Sequence, residues 1–289
     1  MAAVVKVPVE VEGRQLVLSN LDKVLYPETG FTKGQVLDYY SRIAPLLLPH
    51  LADRPLTLKR YPDGVQGHSF YEKNAPSYRP EWLRVERLAS PGSTKQRETI
   101  DYAVLDDLAS LVWVVNLACL ELHVPQWRVG ADGPDLLVVD LDPGPPATVV
   151  ECCEVALRVR EHLAPLEVHA KTSGSKGMQL AVRAPDADTS SYAKAMAQDL
   201  ERAHPDLVVS RMTKSLRPGK VLVDWSQNSP AKTTVAVYSL RARDRPTGST
   251  PVTWDEVEAC REPEDLVFTT DDVLERVAAH GDLWAPLLG

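Results

Sequence analysis

The chain has 289 residues, 44% of them hydrophobic and 25% charged, with a formal net charge of −8, a composition that suits an ordinary globular protein burying a substantial core in one large domain or two modest ones. Every long apolar stretch, such as 105–122, is broken by polar residues within the roughly 18 needed for a bilayer span, and the N-terminus lacks a charged start followed by an apolar run, so a cytoplasmic location with no membrane association is expected. Cys119, Cys152, Cys153 and Cys260 have neither zinc-ligand spacing nor the density of a disulfide framework, and plain thiols are expected.

In chain order, VEVEGRQLVLS reads as a short strand pattern. Thr32 is the N-cap candidate of an amphipathic helix over 32–48, because Val36, Leu37, Tyr40, Ile43, Ala44 and Leu47 recur at helical spacing. LTLKRYP predicts a strand, Asp106 to Glu121 a largely buried helix, and Leu136 to Asp140 a strand that Pro143 and Gly144 stop. A helix is expected near 148–163, a strand pair around the loop TSGSKG, a helix near 190–203, and strands at VLVDWS and TTVAVYSL. Hairpin-like strands mixed with helices predict an α+β or mixed α/β fold. With no internal repeat, low-complexity tract or Gly/Ser linker, one continuous catalytic domain over 1–289 is expected, its acidic C-terminal segment 246–289 included.

The negative charge argues against a nucleic-acid partner until its distribution is considered. Residues 246–289 hold ten Asp or Glu and two Arg, a balance of −8, so the preceding 245 residues are neutral. The stretch from Glu201 to Arg245 carries nine Lys or Arg against four acids, one of them Asp224. A locally basic cleft and scattered solvated charge are both compatible with this pattern.

In LLVVDLDPG, two aspartates two residues apart end an apolar strand. Alternate strand residues share a face, so Asp140 and Asp142 lie roughly 6.6 Å apart along the strand and point the same way. That suits a pair of divalent cations about 3.5–4 Å apart, which can activate a 3′-hydroxyl and neutralise a leaving pyrophosphate. Asp224 in VLVDWSQN also follows a short apolar strand and is the candidate third ligand. Hard oxygen ligands favour Mg²⁺ or Mn²⁺ over zinc. The plainer reading is an Asp-rich turn ahead of Pro143; like charges at the end of an apolar strand tilt the balance toward metal.

KTSGSKG, 171–177, reads either as a phosphate cradle, with Ser173, Ser175 and Lys176 as donors, or as a polar hairpin loop; its spacing is not that of a Walker A motif. In the basic run TKSLRPGK and in YSLRAR, Arg217 and Arg241 are candidates for triphosphate or template contacts. Phe70 and Tyr71 offer a ring for base stacking, or pack in the core, although one of two adjacent strand residues must face away from it; Lys59 lies on a nearby strand. His123 in LELHVPQW can donate to a phosphate or ribose hydroxyl, or simply close a helix C-terminus.

Together, LSNLDKVLYPETGFTKGQ, LTLKRYPDGVQGHSFYEKN, ELHVPQW, VVDLDPG, KTSGSKG, TKSLRPGKVLVDWSQN and YSLRAR resemble, from about Val11 to Leu283, the polymerase domain of bacterial DNA ligase D, of the archaeo-eukaryotic primase superfamily. The resemblance implies a primase-like catalytic core that adds nucleotides, with a preference for ribonucleotides, to 3′ ends at DNA gaps, overhangs and double-strand breaks in non-homologous end joining. It implies that Asp140, Asp142 and Asp224 hold two Mn²⁺ or Mg²⁺ ions. By the same resemblance Lys59, Phe70 or Tyr71, His123, Ser173, Lys176, Arg217 and Arg241 line the incoming NTP or dNTP site, with Tyr71 standing where phenylalanine is common. Lys23 and Lys33 match the basic positions that recognise a DNA 5′-phosphate. Gln179 in KGMQLAV departs from the pattern, where relatives commonly have His. No ligase or phosphoesterase segment fits into 289 residues, so the reading is of a stand-alone or excised module, nucleoid-associated, that works with a separate DNA ligase and a Ku-type end-binding protein. A non-catalytic DNA-end adaptor is the alternative, disfavoured because a phosphate binder gains nothing from carboxylates beside its anion.

Overall fold

Glu12 and Gly13 both take positive φ, 51° and 76°, and this tight reversal turns the first strand pattern into a hairpin, β1 (Lys6–Val11) on β2 (Arg14–Ser19). The computed structural model describes residues 5–89, 98–185 and 188–288. The chain divides into two units, one made of 1–124 and 239–246, the other of 125–238 and 247–289. Its architecture is mixed α+β, as the sequence predicts, with six α-helices among the described residues. Among those residues no helix is long and apolar enough to cross a membrane, and the four cysteines are buried free thiols.

In the first unit, β3 (Val24–Tyr26) pairs with β4 (Phe31–Thr32), and α1 (Lys33–Leu51) follows. Thr32 caps α1 as expected: its hydroxyl accepts from the Gln35 N–H, and the Gln35 side chain accepts from the Thr32 N–H. The apolar stripe read from the sequence is the face α1 buries, joined by Tyr39 and Leu51. Next come β5 (Thr57–Arg60), β6 (Phe70–Glu72), the hairpin β7 (Val85–Ala89) with β8 (Thr99–Ala103), and α2 (Leu108–Asn116). The helix expected to run to Glu121 stops at Asn116. Ala118 takes φ 58°, a left-handed conformation that ends a helix, and the chain enters β9 (Cys119–Val124), which pairs with β5, itself paired with β6. His123 therefore lies on a strand and closes no helix.

The second unit is built on a six-stranded sheet. Its strands are β10 (Leu136–Pro143), β11 (His169–Thr172), β12 (Met178–Arg183), β13 (Val208–Val209), β14 (Val221–Asp224) and β15 (Pro251–Val252). They lie in the order β13-β14-β10-β12-β11-β15, antiparallel except for the parallel pair β13 and β14. β10 runs three residues beyond its expected end, so both of its aspartates are within the sheet. Helices α3 (Val149–His162) and α4 (Thr189–Ala203) contribute Val155, Val159, Met196 and Leu200 to the same apolar core as Leu137, Val139 and Leu141 of β10 and Val221 and Val223 of β14. α5 (Trp254–Ala259) and α6 (Thr270–His280) complete the acidic C-terminal segment. The strand expected over TTVAVYSL is reduced to Thr234–Val235 and Leu240–Ala242, interrupted where Tyr238 takes φ 62°.

Candidate active site

β10 alternates apolar residues that enter the core with aspartates that do not. Leu137, Val139 and Leu141 are at most 1% exposed, which leaves Asp140 and Asp142 together on the opposite face. Register then supplies the third carboxylate, since Asp224 of β14 is the cross-strand partner of Asp140. Two residues directly opposite on antiparallel strands have Cβ atoms roughly 4.5–5.5 Å apart, so the pair repels unless cations or donors intervene. Loss of water, then the Asp224 and Asp142 charges, push the Asp140 carboxyl up to about 6, against the opposing pull of a Gln179 hydrogen bond and the Lys171 charge.

Each carboxylate is held by the protein. Asp140 Oδ1 accepts from Gln179 Nε2 at 3.0 Å. Asp142 meets Lys176 Nζ at 3.0 Å and Arg217 Nη1 at 3.5 Å. Asp224 Oδ1 accepts from the Ser226 N–H at 3.0 Å and its hydroxyl at 2.5 Å, and Oδ2 from Gln227 Nε2 at 2.8 Å. Among the described residues no three acidic, His or Cys side chains converge into a ready metal cage, which accords with each carboxylate being turned onto its own donor. The all-carboxylate set fits a hard divalent cation, and an incoming cation would compete with Lys176 and Arg217 for Asp142.

The loop between β11 and β12 is drawn in tightly. Ser173 Oγ accepts from the N–H groups of Ser175 at 3.3 Å and Gly177 at 3.2 Å, and the Ser173 N–H donates to the Gly177 carbonyl at 2.9 Å. A Cβ on Gly177 would lie 2.2 Å from the Leu141 carbonyl oxygen, and one on Gly144 would lie 2.1 Å from that of Arg217. Both glycines are therefore required where these loops close on β10. Lys176 also reaches the Pro143 carbonyl at 3.3 Å, and Arg217 donates to the Met212 carbonyl at 2.7 Å while its buried Nε–H has no hydrogen-bond partner among the described residues.

The first unit gathers a second set around a residue that the sequence reading passed over. Glu121 of β9, 2% exposed, accepts from the Tyr61 hydroxyl at 2.9 Å and the Ala242 N–H at 3.2 Å. Its carboxylate also meets His123 Nε2 at 2.9 Å, Arg241 Nε at 3.4 Å and Lys59 Nζ at 3.6 Å. Burial pushes this carboxyl up, but the His123 hydrogen bond and the Arg241 and Lys59 charges outweigh it and hold it well below the usual carboxylate range. Burial likewise lowers the His123 pKa, with Glu121 opposing and Arg241 and Lys59 assisting. Its visible sequence signal was a charged residue two before His123 in an alternating run, masked by the helix expected there.

Tyr71 is the register partner of Lys59, which is that of Glu121, so Tyr71, Lys59 and Glu121 form one row across three strands. The Tyr71 ring, 55% exposed, stands edge-on to His123 with centroids 5.6 Å apart, and Lys59 Nζ lies 5.3 Å from its centroid. Phe70 points to the other face, where the Arg60 guanidinium lies 5.2 Å from its ring and His68 stacks at 6.2 Å. Lys23 is exposed and bridged to Asp63 at 3.1 Å. Lys33 is buried and donates to the Ser19 carbonyl at 2.6 Å, Asn116 Oδ1 at 2.8 Å and the Ser19 hydroxyl at 3.3 Å. Burial, then the Lys23 and Arg60 charges, push Lys33 down to about 8.

Residues 32–284 match the family model described as LigD, primase-polymerase domain. The multifunctional non-homologous end joining protein LigD of Mycolicibacterium smegmatis is 47% identical over 93% of this chain, and the bifunctional LigD of Bacillus subtilis is 28% identical over 92%. The chain spans 36% and 43% of the lengths of those two proteins. A solved structure, the polymerase domain from Mycobacterium tuberculosis ligase D in complex with DNA, is similar with a TM-score of 0.86 and 43% identity, covering 94% of this chain and 98% of that one.

Proposed function

This chain belongs to the LigD primase-polymerase domain family, and from that membership we propose that it is a nucleotidyltransferase adding nucleotides, ribonucleotides by preference, to 3′ ends at DNA gaps and double-strand breaks in end joining. The observation that carries the reading is the direct pairing of Asp140 with Asp224, with Asp142 on the same face and two cationic side chains on Asp142. Mn²⁺ or Mg²⁺ held by these three carboxylates would supply the charge that activates the 3′-hydroxyl and stabilises the α-phosphate in transition.

The remaining roles belong to the chain's own side chains. Lys176, Arg217 and the Ser173 hydroxyl serve phosphate oxygens, and Lys59, His123 and Arg241 serve the triphosphate or sugar. Tyr71, exposed and backed by His123 and Lys59, offers its ring to a base; Phe70 lies on the other face of its strand. Burial depresses Lys33, and the Lys23 and Arg60 charges add to it; a DNA 5′-phosphate would relieve the part that is repulsion. A Ku-type protein and a DNA ligase are the expected partners.

The test is extension of a labelled primer on a 5′-phosphorylated gapped duplex, with Mn²⁺ or Mg²⁺ and ribo- or deoxyribonucleotides, beside the Asp140→Ala, Asp142→Ala double variant. Templated addition that the double variant loses is the expected result. No addition under any condition, with gap binding retained, would leave an end-binding adaptor instead.

A further inference from the structure

Lys171 and Gln179 are buried polar residues with no part in the functions above. Register places them in line with the carboxylates: Lys171 of β11 is opposite Gln179 of β12, Gln179 opposite Asp140 of β10, and Asp140 opposite Asp224 of β14. Partners in register share a face of the sheet, so the row runs from an ammonium through an amide to two carboxylates.

The hydrogen bonds along this row have a fixed direction. The Lys171 ammonium donates to Gln179 Oε1 at 2.6 Å, Ser249 Oγ at 2.6 Å and the Val235 carbonyl at 3.1 Å. Ser249 gives its own proton to the Thr172 carbonyl at 2.9 Å, so its oxygen can only accept from the lysine. An amide has one accepting end and one donating end. With Oε1 taken by an ammonium, which cannot accept, the Gln179 NH₂ is the end that meets Asp140 Oδ1 at 3.0 Å. Asp224 has separate support from Ser226 and Gln227.

We propose that Lys171 is a positioning residue for Asp140, acting through Gln179: it fixes the orientation of the amide and so commits Oδ1 to the protein and Oδ2 to a divalent cation. The proposal rests on the metal reading of Asp140. A buried ammonium is costly unless it is hydrogen-bonded and near an opposite charge, and Lys171 meets that condition with three acceptors and the Asp140 carboxylate within its field.

The probe is Mn²⁺ alone, titrated onto the intact protein and followed by the free-ion electron paramagnetic resonance signal. Lys171→Met and Gln179→Leu should each weaken Mn²⁺ binding about tenfold, the usual scale for outer supports of metal ligands, with the double variant no weaker than either single. Gln179→His should keep parent-like affinity, because a neutral imidazole also offers one acceptor and one N–H donor. Parent-like affinity in a folded Lys171→Met or Gln179→Leu protein, or effects that simply add in the double variant, would overturn the proposal. Should Lys171→Met fail to fold, Lys171→Gln takes its place, since a neutral amide there can present either end to Gln179 and no longer fixes its orientation. Asp140→Ala separates the two levels: if it leaves Mn²⁺ binding unchanged, the metal reading falls and the relay with it, whereas loss there with no effect at 171 or 179 sinks the relay only.

Discussion

Replacing Glu121 by glutamine takes one negative charge from between two cations, Arg241 and Lys59, and the His123 imidazole, while keeping an acceptor for Tyr61 and Ala242. The charge being removed lies 2.9 Å from His123 Nε2, 3.4 Å from Arg241 Nε and 3.6 Å from Lys59 Nζ. Stripping one partner from a buried ion pair costs about 3–5 kcal/mol, and the two neutral hydrogen bonds that survive place Glu121→Gln at the lower end, about 3 kcal/mol. In a chain of this size that corresponds to a Tm lower by roughly 6–12 °C. The uncovered cations then become a stronger polyanion site, so inorganic triphosphate should recover more of the Tm in the variant than it adds to the parent. Thermal unfolding with and without triphosphate, at matched ionic strength and without divalent metal, measures both effects. An unchanged Tm, or equal gains in the two proteins, would refute the assignment of Glu121 as the counter-charge of this cluster.

Tyr71→Ala should raise the nucleotide KM by roughly five- to 150-fold, equivalent to about 1–3 kcal/mol of lost stacking, while Phe70→Ala changes it little; single-nucleotide insertion kinetics read both. Lys23→Ala should weaken binding to gaps ending in 5′-phosphate more than to gaps ending in hydroxyl, and equal losses in a gap-binding titration would count against it. That 5′-phosphate preference should also fade as pH rises through about 8, where Lys33 gives up its proton, the phosphate being dianionic throughout that range. From about pH 8 upward to the ordinary lysine value of 10.5 the fold should gain stability, because there the unfolded chain still holds the Lys33 proton that the folded one has lost. The 5′-phosphate preference and the stability of the fold thus move in opposite directions with pH, and a parallel fall in both would contradict the assignment. Gly177→Ala should cost about 3 kcal/mol or more, since its Cβ meets the Leu141 carbonyl between the two aspartates. Nucleotide addition should fall further than thermal stability does.

Several features of both units are legible in the sequence because their signals are local. The Asp140 and Asp142 alternation, the Thr32 cap and the glycine loop after Lys171 each occupy a few consecutive residues, and their physics is that of a strand face, a helix terminus and a tight turn. What was hidden depends on pairing between distant strands. Nothing near Asp224 says that its partner is Asp140, or near Lys171 that it reaches Asp140 through Gln179; both follow from register, which long-range packing sets. Glu121 was concealed for a different reason. The apolar run through Leu111, Val114, Val115 and Leu120 continues smoothly across a helix end, and the break is made by one left-handed backbone at Ala118, a residue with no strong preference for it. Strand alternation puts Phe70 and Tyr71 on opposite faces without saying which is which, and only the pairing of β6 with β5 sets Tyr71 beside Lys59 and Phe70 beside Arg60.

The first unit recovers its last piece, 239–246, only after the chain has completed most of the second. Arg241 is in that piece, on Glu121. No single cut in the gene can therefore release the first unit intact. A transcript ended at codon 238 would encode all three aspartates yet lack this arginine, and recombination that exchanged 1–124 as a block would bring in a Glu121 whose Arg241 came from another parent. The two units must be inherited, expressed and engineered as one reading frame, and a library that shuffles them should be split at positions other than 124.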